Sequence, residues 1–260
     1  MEERIWAVRV TWPKVTGGVN CRGEHDPRDS HSGLNISYHV GDDPRRVTAN
    51  RRRVLASMGA EEWPLVCAEQ VHGNHVAVVG RADLPSLSPC PAGFRCRETD
   101  GLVTREPRLV LNLTFADCVP ILLYCPEPLM VGVLHAGWRG TAARIAGRGV
   151  ETMCSLGARA SHIRAVIGPA ICGKCYEVGP EVIAAMKNLP GAAELLARGP
   201  ANHLDLAELN RLTLLECGLR EEAIENSRLC TRCGEVPLFS YRVSGPNGGL
   251  HGAFIAITDE

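Results

Sequence analysis

Two apolar runs, residues 108–125 (RLVLNLTFADCVPILLYC) and 129–136 (LMVGVLHA), flank Pro126, Glu127 and Pro128, and nothing else in the chain restricts its fold as strongly. Short runs of this kind meeting at a proline-bearing turn read as a hairpin of buried strands. Counting back from the turn places Cys118 opposite Ala136, and a shift of one residue would pair Cys118 with His135. On either register the thiol and the imidazole meet at the open end of the hairpin, where cross-strand neighbours lie roughly 5 to 8 Å apart.

Around this hairpin the pattern alternates between strand and helix. Residues 4–12 alternate like a strand, which Gly17 and Gly18 are expected to break, and residues 32–41 (SGLNISYHVG) read as a second strand. Asp42 and Asp43 ahead of Pro44 start a helix that buries Val47, Val54, Leu55 and Met58 and stops at Gly59; Asn50, Arg51, Arg52 and Arg53 fall on its other sides, the arginines reading as helix surface. Residues 63–71 and 75–80 read as strands joined at a tight corner, His72-Gly73-Asn74, which puts His72 at a strand end. Residues 81–98 read as an irregular, proline-rich surface excursion. After His135, residues 141–157 read as a helix with Thr141 near its N-cap and Gly157 as its stop. A strand at 161–171, helices at 179–189 and 203–218, and strands at 238–242 and 252–258 complete the chain. This mixture predicts an α+β or layered architecture.

Composition narrows the function. The 260 residues are 45% hydrophobic, enough for one compact domain or two closely joined halves, and the net charge of -1 gives no reason to expect nucleic acid or an anionic membrane as partner. A small-molecule ligand is the default. The first residues lack an apolar leader core and no run is long enough to span a bilayer, so a cytoplasmic protein is expected. Twelve cysteines in a chain of this length read mostly as free, partly buried thiols.

His72, Cys118 and His135 each stand beside small or turn residues at the end of an apolar run. Two imidazoles and a thiolate suit a catalytic zinc with one open position. The same residues admit two other readings: Cys118 as a nucleophile with His135 as its base, as in a cysteine hydrolase, or two hydrogen-bonded histidines beside a core thiol. Residues 137–141 (GWRGT), between a strand and a helix, read equally as an anion site with Arg139 or as a tight turn. Cys172 and Cys175, with Cys230 and Cys233, form two Cys-x-x-Cys pairs. The 54 residues between the pairs far exceed the roughly 15 to 20 of a compact zinc knuckle, so the spacing carries little weight. His25, Asp26, Asp29 and His31 read as a solvated loop. Nine histidines with no His-x-His pair argue against a four-copper centre, and the His-x-Glu with Pro-Cys-x-x-Cys signature of zinc deaminases is absent.

Taken in order, GGV, SGLNISYHVGDD, NRRRV, EQVHGNHV, TDGLVT, ADCVPILL, HAGWRGT, IGPAICGKCYEVG, HLDL and LFSYR resemble the YfiH-like proteins, first described as polyphenol oxidases and later as purine nucleoside phosphorylases. The resemblance implies a single domain over residues 1–260, an α-β-β-α sandwich similar to a deamidating bacterial toxin domain, with a metal site at the mouth of a pocket. It implies phosphorolysis of adenosine, inosine, guanosine and methylthioadenosine, with adenosine deamination as a second activity. The implied cofactor is zinc rather than copper, held by His72, Cys118 and His135. Asp117 is a candidate proton carrier beside it. Arg139, with Arg51 or Arg242, is expected to hold phosphate, and Asn35, His39 and Gln70 to line the nucleoside pocket. The implied partners are purine nucleosides and phosphate, with a monomer as the default. A non-catalytic purine or phosphate sensor is the remaining alternative, because Val243 and Leu250 stand where many family members carry arginine.

Overall fold

The computed structural model describes residues 4–259. In chain order the strands are β1 (Trp6–Arg9), β2 (Val15–Asn20), β3 (Leu65–Ala68), β4 (Val76–Val78), β5 (Ser88–Cys90), β6 (Gly93–Cys96), β7 (Gly101–Thr104), β8 (Val110–Phe115), β9 (Val119–Pro126), β10 (Leu129–Ala136), β11 (Arg164–Ile167), β12 (Ile224–Asn226) and β13 (His251–Ile257). The helices are α1 (Pro44–Met58), α2 (Trp138–Ala142), α3 (Ile145–Ser155), α4 (Pro180–Met186), α5 (Ala192–Arg198), α6 (Leu206–Glu216) and α7 (Tyr241–Ser244). Two mixed sheets stack face to face, one ordered β1-β2-β13-β8-β3-β6-β5 and the other β12-β11-β9-β10-β7-β4.

Period-two burial explains the stack. On β9, Leu122 and Tyr124 point into the core between the sheets, where they meet Leu111, Leu113 and Phe115 of β8 and Ile255 of β13. The alternate residues Ile121, Leu123 and Cys125 point the other way and pack with Val150 and Met153 of α3 and Leu209 of α6. Beyond the seven-stranded sheet, Phe254 and Ala256 pack with Val54 and Met58 of α1. Both faces of the central strands are therefore covered, which is why they read as unbroken apolar runs. The result is an α+β, α-β-β-α sandwich, as the sequence implied.

The connections between the sheets position the site. β3, β6 and β8 are mutually parallel in one sheet, and each is followed by a strand of the other sheet: β4, β7 and β9. The chain thus crosses from sheet to sheet three times at one end of the stack, through residues 69–75, 97–100 and 116–118. β10 runs antiparallel to both β9 and β7, so its C-terminal end arrives at the same place. His72, Asp100, Cys118 and His135 are carried on these four segments.

Several expectations need correction. Residues 63–71 and 75–80 hold the shorter strands β3 and β4, which belong to different sheets, so His72 stands in the crossing between them rather than at a strand end. Residues 108–125 are two strands interrupted by the crossing at Ala116, Asp117 and Cys118, and the hairpin register pairs Val119 with Ala136 and Pro120 with His135. Cys118 therefore lies just before the ladder. Gly17 and Gly18 sit inside β2 with positive φ; a Cβ would fall 2.1 Å from the Phe254 carbonyl oxygen and 2.1 Å from that of Val8, so close strand approach, not a break, demands glycine there. Residues 32–41 form no strand. Their carbonyls are taken by side chains, Asn50 donating to those of Gly33 and Asn35 and Arg51 to that of Ile36, while the Leu34 and Ile36 amides donate to the Arg22 and Leu250 carbonyls. Residues 81–98 contain the β5–β6 hairpin. Thr141 lies within α2, and left-handed Arg144 separates α2 from α3. Residues 238–240 belong to no strand, and Tyr241 opens α7. The α1 boundaries match the reading, with Asp43 accepting from the Arg45 amide at 2.9 Å, Pro44 at the first turn and Gly59 left-handed at the stop, but its buried side also includes Asn50 and Arg51, and Leu55 is only half-buried. No described helix is long and apolar enough to cross a membrane.

Candidate metal centre and cleft

Ligand atoms of His72, Cys118 and His135 lie within 4.8 Å of one another. The two rings meet edge to face at 4.8 Å between centroids. His72 is exposed, Cys118 half-buried and His135 buried, so the cluster sits at a surface opening. Both crossings that deliver a ligand carry a non-glycine residue in the left-handed region, His72 at φ 61 and Asp117 at φ 91. Strain of this kind, about 1 to 3 kcal/mol each, persists where surrounding contacts over-determine the backbone, and it concentrates at functional sites. Gly137 closes the cluster from the other side; a Cβ there would lie 3.0 Å from both the Cys118 sulfur and His72 Cδ2.

Asp100, to which sequence reasoning gave no role, organises the centre. Its fully buried carboxylate accepts from the amides of Val71 (3.1 Å), His72 (3.0 Å) and Gly73 (2.7 Å) and from His135 Nδ1 (2.8 Å). Its carbonyl also accepts from the His135 amide at 2.8 Å. One carboxylate thereby shapes the His72 turn and sets the His135 tautomer. With the proton on Nδ1, the Nε2 lone pair is free for a metal. The available signal was a carboxylate heading an apolar strand, in residues 99–104 (TDGLVT).

Electrostatics follow from this packing. Burial pushes the Asp100 carboxyl upward, but the His135 ring and the amides of Gly73 and Val71 outweigh it, and the net shift is down. Burial likewise opposes ionisation of Cys118, yet the two histidines bring its thiol down to about 6. His135, desolvated but held between Cys118 and Asp100, is pushed up to about 9. Without a metal, the arrangement is therefore a thiolate–imidazolium pair near neutral pH.

The centre opens into a cleft of about 800 Å³. Phe115, Trp138, Tyr176 and Tyr241 give it flat apolar surface, and Arg51, Arg95, Arg139 and Arg242 give it positive charge. Of the residues read from sequence, His39, Arg51, Gln70, Asp117, Arg139 and Arg242 line it. Their states differ. Arg51 is buried rather than on the helix surface, donating to the Ile36 carbonyl at 2.7 Å and to Asn112 Oδ1 at 2.8 Å. Gln70 exchanges three hydrogen bonds with Thr114. Asp117 accepts from the Thr231 hydroxyl and, at 2.8 Å, from the Arg242 amide. Arg139 and Arg242 are exposed, lying over the rings of Trp138 and Tyr176 at 4.2 and 4.8 Å. Asn35 is the correction: it is fully buried behind the cleft wall, donating to Asp42 and accepting from the Ser37 and Leu250 amides. Arg95 was missed. Its Nε is buried without a hydrogen-bond partner, which leaves a cationic donor beside the cleft. Of the two departures, Leu250 lines the cleft, whereas Val243 is exposed outside it.

The other sequence candidates separate cleanly. Asp26 and Asp29 pair with Arg28 and Arg46 in a solvated loop. The two Cys-x-x-Cys pairs, set aside on spacing, are brought together, all four sulfurs within 4.8 Å of one another.

Comparison with known proteins places this architecture. The family model described as multi-copper polyphenol oxidoreductase laccase matches residues 18–258. Adenosine deaminase RL5, from an unknown prokaryotic organism, is 38% identical over 249 residues, covering 93% of this chain and 95% of the relative. Purine nucleoside phosphorylase YlmD of Bacillus subtilis is 37% identical over 257 residues, covering 95% and 90%. Among solved structures, the hypothetical protein YfiH of Bacillus licheniformis superposes with a TM-score of 0.87 at 34% identity, covering 98% of this chain and 99% of the other. YlmD from Geobacillus stearothermophilus gives 0.83 at 34% identity, covering 95% and 93%. With its motifs, its sandwich and its relatives in agreement over nearly the full length, the chain belongs to the YfiH-like family that the polyphenol oxidoreductase model describes.

Proposed function

We propose that this protein is a zinc-site purine nucleoside phosphorylase, converting adenosine, inosine, guanosine or methylthioadenosine with phosphate into free base and sugar 1-phosphate, with adenosine deamination as a second activity. The observation that carries this reading is the opening of the His72, Cys118 and His135 cluster into a cleft that combines flat rings with arginines. Relatives named purine nucleoside phosphorylase and adenosine deaminase support it.

The donor set fits zinc: His72, Cys118 and His135 would hold it through two imidazoles and one thiolate, with Asp100 behind His135. Zinc bound there supplies a Lewis acid with one position open to water or substrate. The chain's own residues do the rest. Trp138 and Tyr176 offer stacking surfaces to a purine. Arg139, Arg242 and Arg95 supply the positive field that holds phosphate against the sugar carbon C1′, where the phosphate oxygen bond forms as the bond to the purine nitrogen breaks. Arg51 contributes charge from the wall rather than a free donor fork. The purine leaves protonated. In the second activity, deamination at C6 of adenine, Asp117 is assigned as the proton carrier beside the metal, its carboxylate held by Thr231 and the Arg242 amide. His39 and Gln70 border the nucleoside space.

Adenosine incubated with purified, metal-analysed protein tests the assignment by chromatography with mass detection. Adenine and ribose 1-phosphate that appear only with phosphate establish the phosphorylase; inosine alone moves the assignment to a deaminase. Intact adenosine in the presence of bound zinc would overturn the nucleoside reading.

The thiolate–imidazolium pair favours one competitor, a metal-free cysteine hydrolase using Cys118 and His135. In metal-stripped protein, alkylation of Cys118 is expected to fall about tenfold per pH unit below about 6 and to level off above about 7, because only the thiolate reacts. An ordinary thiol would keep gaining rate up to about pH 8.5. Added zinc is expected to protect Cys118. Unchanged alkylation with zinc present would favour the hydrolase.

A further inference from the structure

Behind the cleft wall that carries Tyr176, two short turns from distant parts of the chain face each other. In the first, the Cys175 and Tyr176 amides donate back to the Cys172 carbonyl at 2.9 and 3.0 Å. In the second, the Gly234 amide donates to the Cys230 carbonyl at 3.0 Å. Each turn folds its two thiols to one side. The turns are fixed to each other by backbone pairing, Ala170 donating to Leu229 and Thr231 donating to Ala170, both at 3.1 Å.

We propose that Cys172, Cys175, Cys230 and Cys233 form a second metal centre, a closed structural zinc site of four thiolates. Three observations carry it. All four sulfurs lie within 4.8 Å of one another, and those of Cys172 and Cys233 are 3.9 Å apart; zinc with four bonds of about 2.3 Å in a tetrahedron needs sulfur separations of about 3.8 Å. The amides of Cys172, Arg232 and Cys233 point at the Cys230 sulfur at 3.4, 3.4 and 3.5 Å, the surroundings that support a coordinated thiolate. Lys174 and Arg232, one inside each turn, offset the net negative charge that four thiolates leave on a divalent ion, and Arg232 also bridges to the Cys175 carbonyl at 3.3 Å. All four cysteines are free thiols in the structure.

The site braces one wall of the cleft. Tyr176 follows Cys175 directly and presents its ring to the cleft beneath Arg242. Thr231 follows Cys230 directly and holds Asp117, the neighbour of Cys118. A metal closing the 54-residue interval between the pairs removes much of the freedom these two residues would otherwise have.

Metal analysis of protein purified under reducing conditions and loaded with zinc tests the proposal. About two zinc ions per chain are expected. A Cys118→Ser/His72→Ala variant should retain about one, and a Cys172→Ser/Cys233→Ser variant should lose the zinc that the first variant keeps. Cobalt replacing that zinc in the Cys118→Ser/His72→Ala protein should give the intense thiolate-to-metal and ligand-field absorption of a four-thiolate tetrahedral ion, which needs no folding of the Cys172 variant. Less than about 0.1 zinc in the Cys118→Ser/His72→Ala protein, iron in place of zinc, or a cobalt spectrum with nitrogen ligation would overturn it. The readout is independent of nucleoside turnover, so failure of the proposed function leaves it standing.

Discussion

Cys118→Ser is expected to lower nucleoside turnover by at least about 10³-fold and to release the metal from the His72 cluster. A serine hydroxyl does not ionise near neutral pH and is a poor ligand for a borderline-soft ion, so two histidines are left to hold it. A bound metal contributes several kcal/mol to transition-state stabilisation, and at about 1.4 kcal/mol per decade a loss of about 4 kcal/mol is roughly 10³-fold. His135 loses one of the two anions that raise its pKa, Asp100 remaining as the other, so its pKa falls below that in the unmodified protein. The fold should survive, because Cys118 is half-buried and lies just outside the β9 ladder. Activity and zinc content are measured together, beside chelator-treated unmodified protein. Full activity in the metal-free variant would remove the metal from the reaction. Inactive variant beside active, chelated parent protein would leave Cys118 as a nucleophile and sink the zinc reading.

The two ligands on the apolar hairpin were legible because they depend on local pattern. Val119, Ile121, Leu123 and Cys125 with their partners on β10 declare a buried pair, and a Pro-containing turn sets where it folds back. That Cys118 and His135 meet survives the register error, since both lie at the open end. The sheet crossings were not legible in the same way. In residues 108–125 only Asp117 interrupts the apolar pattern across Ala116, Asp117 and Cys118, with no glycine there to mark a break, and because both flanking strands are buried on both faces periodicity cannot mark a change of sheet. His72 was found by its predicted position at a strand end, but its neighbour in space is decided by the parallel arrangement of β3, β6 and β8, a long-range property. Asp100 belongs to this class: four of its contacts are to residues more than twenty-five positions away.

Side-chain satisfaction of backbone groups was the second source of error. Residues 32–41 have strand-like composition, yet Asn50 and Arg51 from α1 take the carbonyl bonds that a neighbouring strand would have taken. The same contacts bury Arg51, which charge alone places in solvent. Spacing misled in the opposite direction for the four cysteines. Knuckle spacing describes pairs joined by a short local loop, whereas here the parallel bridge of Ala170 with Cys230 supplies the proximity.

Asp100→Asn is expected to weaken metal binding at the His72 cluster by about 10- to 100-fold and to reduce turnover at least as much, the range found when a buried carboxylate behind a ligating histidine is removed. The substitution is nearly isosteric, so the effect is one of donors and charge. One oxygen faces His135 Nδ1 and the His72 amide, and the other faces the amides of Val71 and Gly73. An amide side chain must turn its own N–H₂ toward one of these sets, placing donor against donor in a site that excludes water; each unsatisfied group costs about 1 to 3 kcal/mol. If the nitrogen faces His135, the ring is pushed toward the tautomer whose lone pair points away from the metal. If it faces Val71 and Gly73, the turn that holds His72 in the left-handed region loses its anchor. Either orientation damages a ligand, and in both His135 loses the Asp100 share of the charge that lifts it, Cys118 keeping the other. Zinc competition titration, unfolding midpoints and turnover should therefore all shift, and Asp100→Glu, which restores the charge but adds a methylene to a fully buried site, should recover little. Unchanged zinc affinity in a folded Asp100→Asn protein would mean that the ligands are held by the sheet crossings alone.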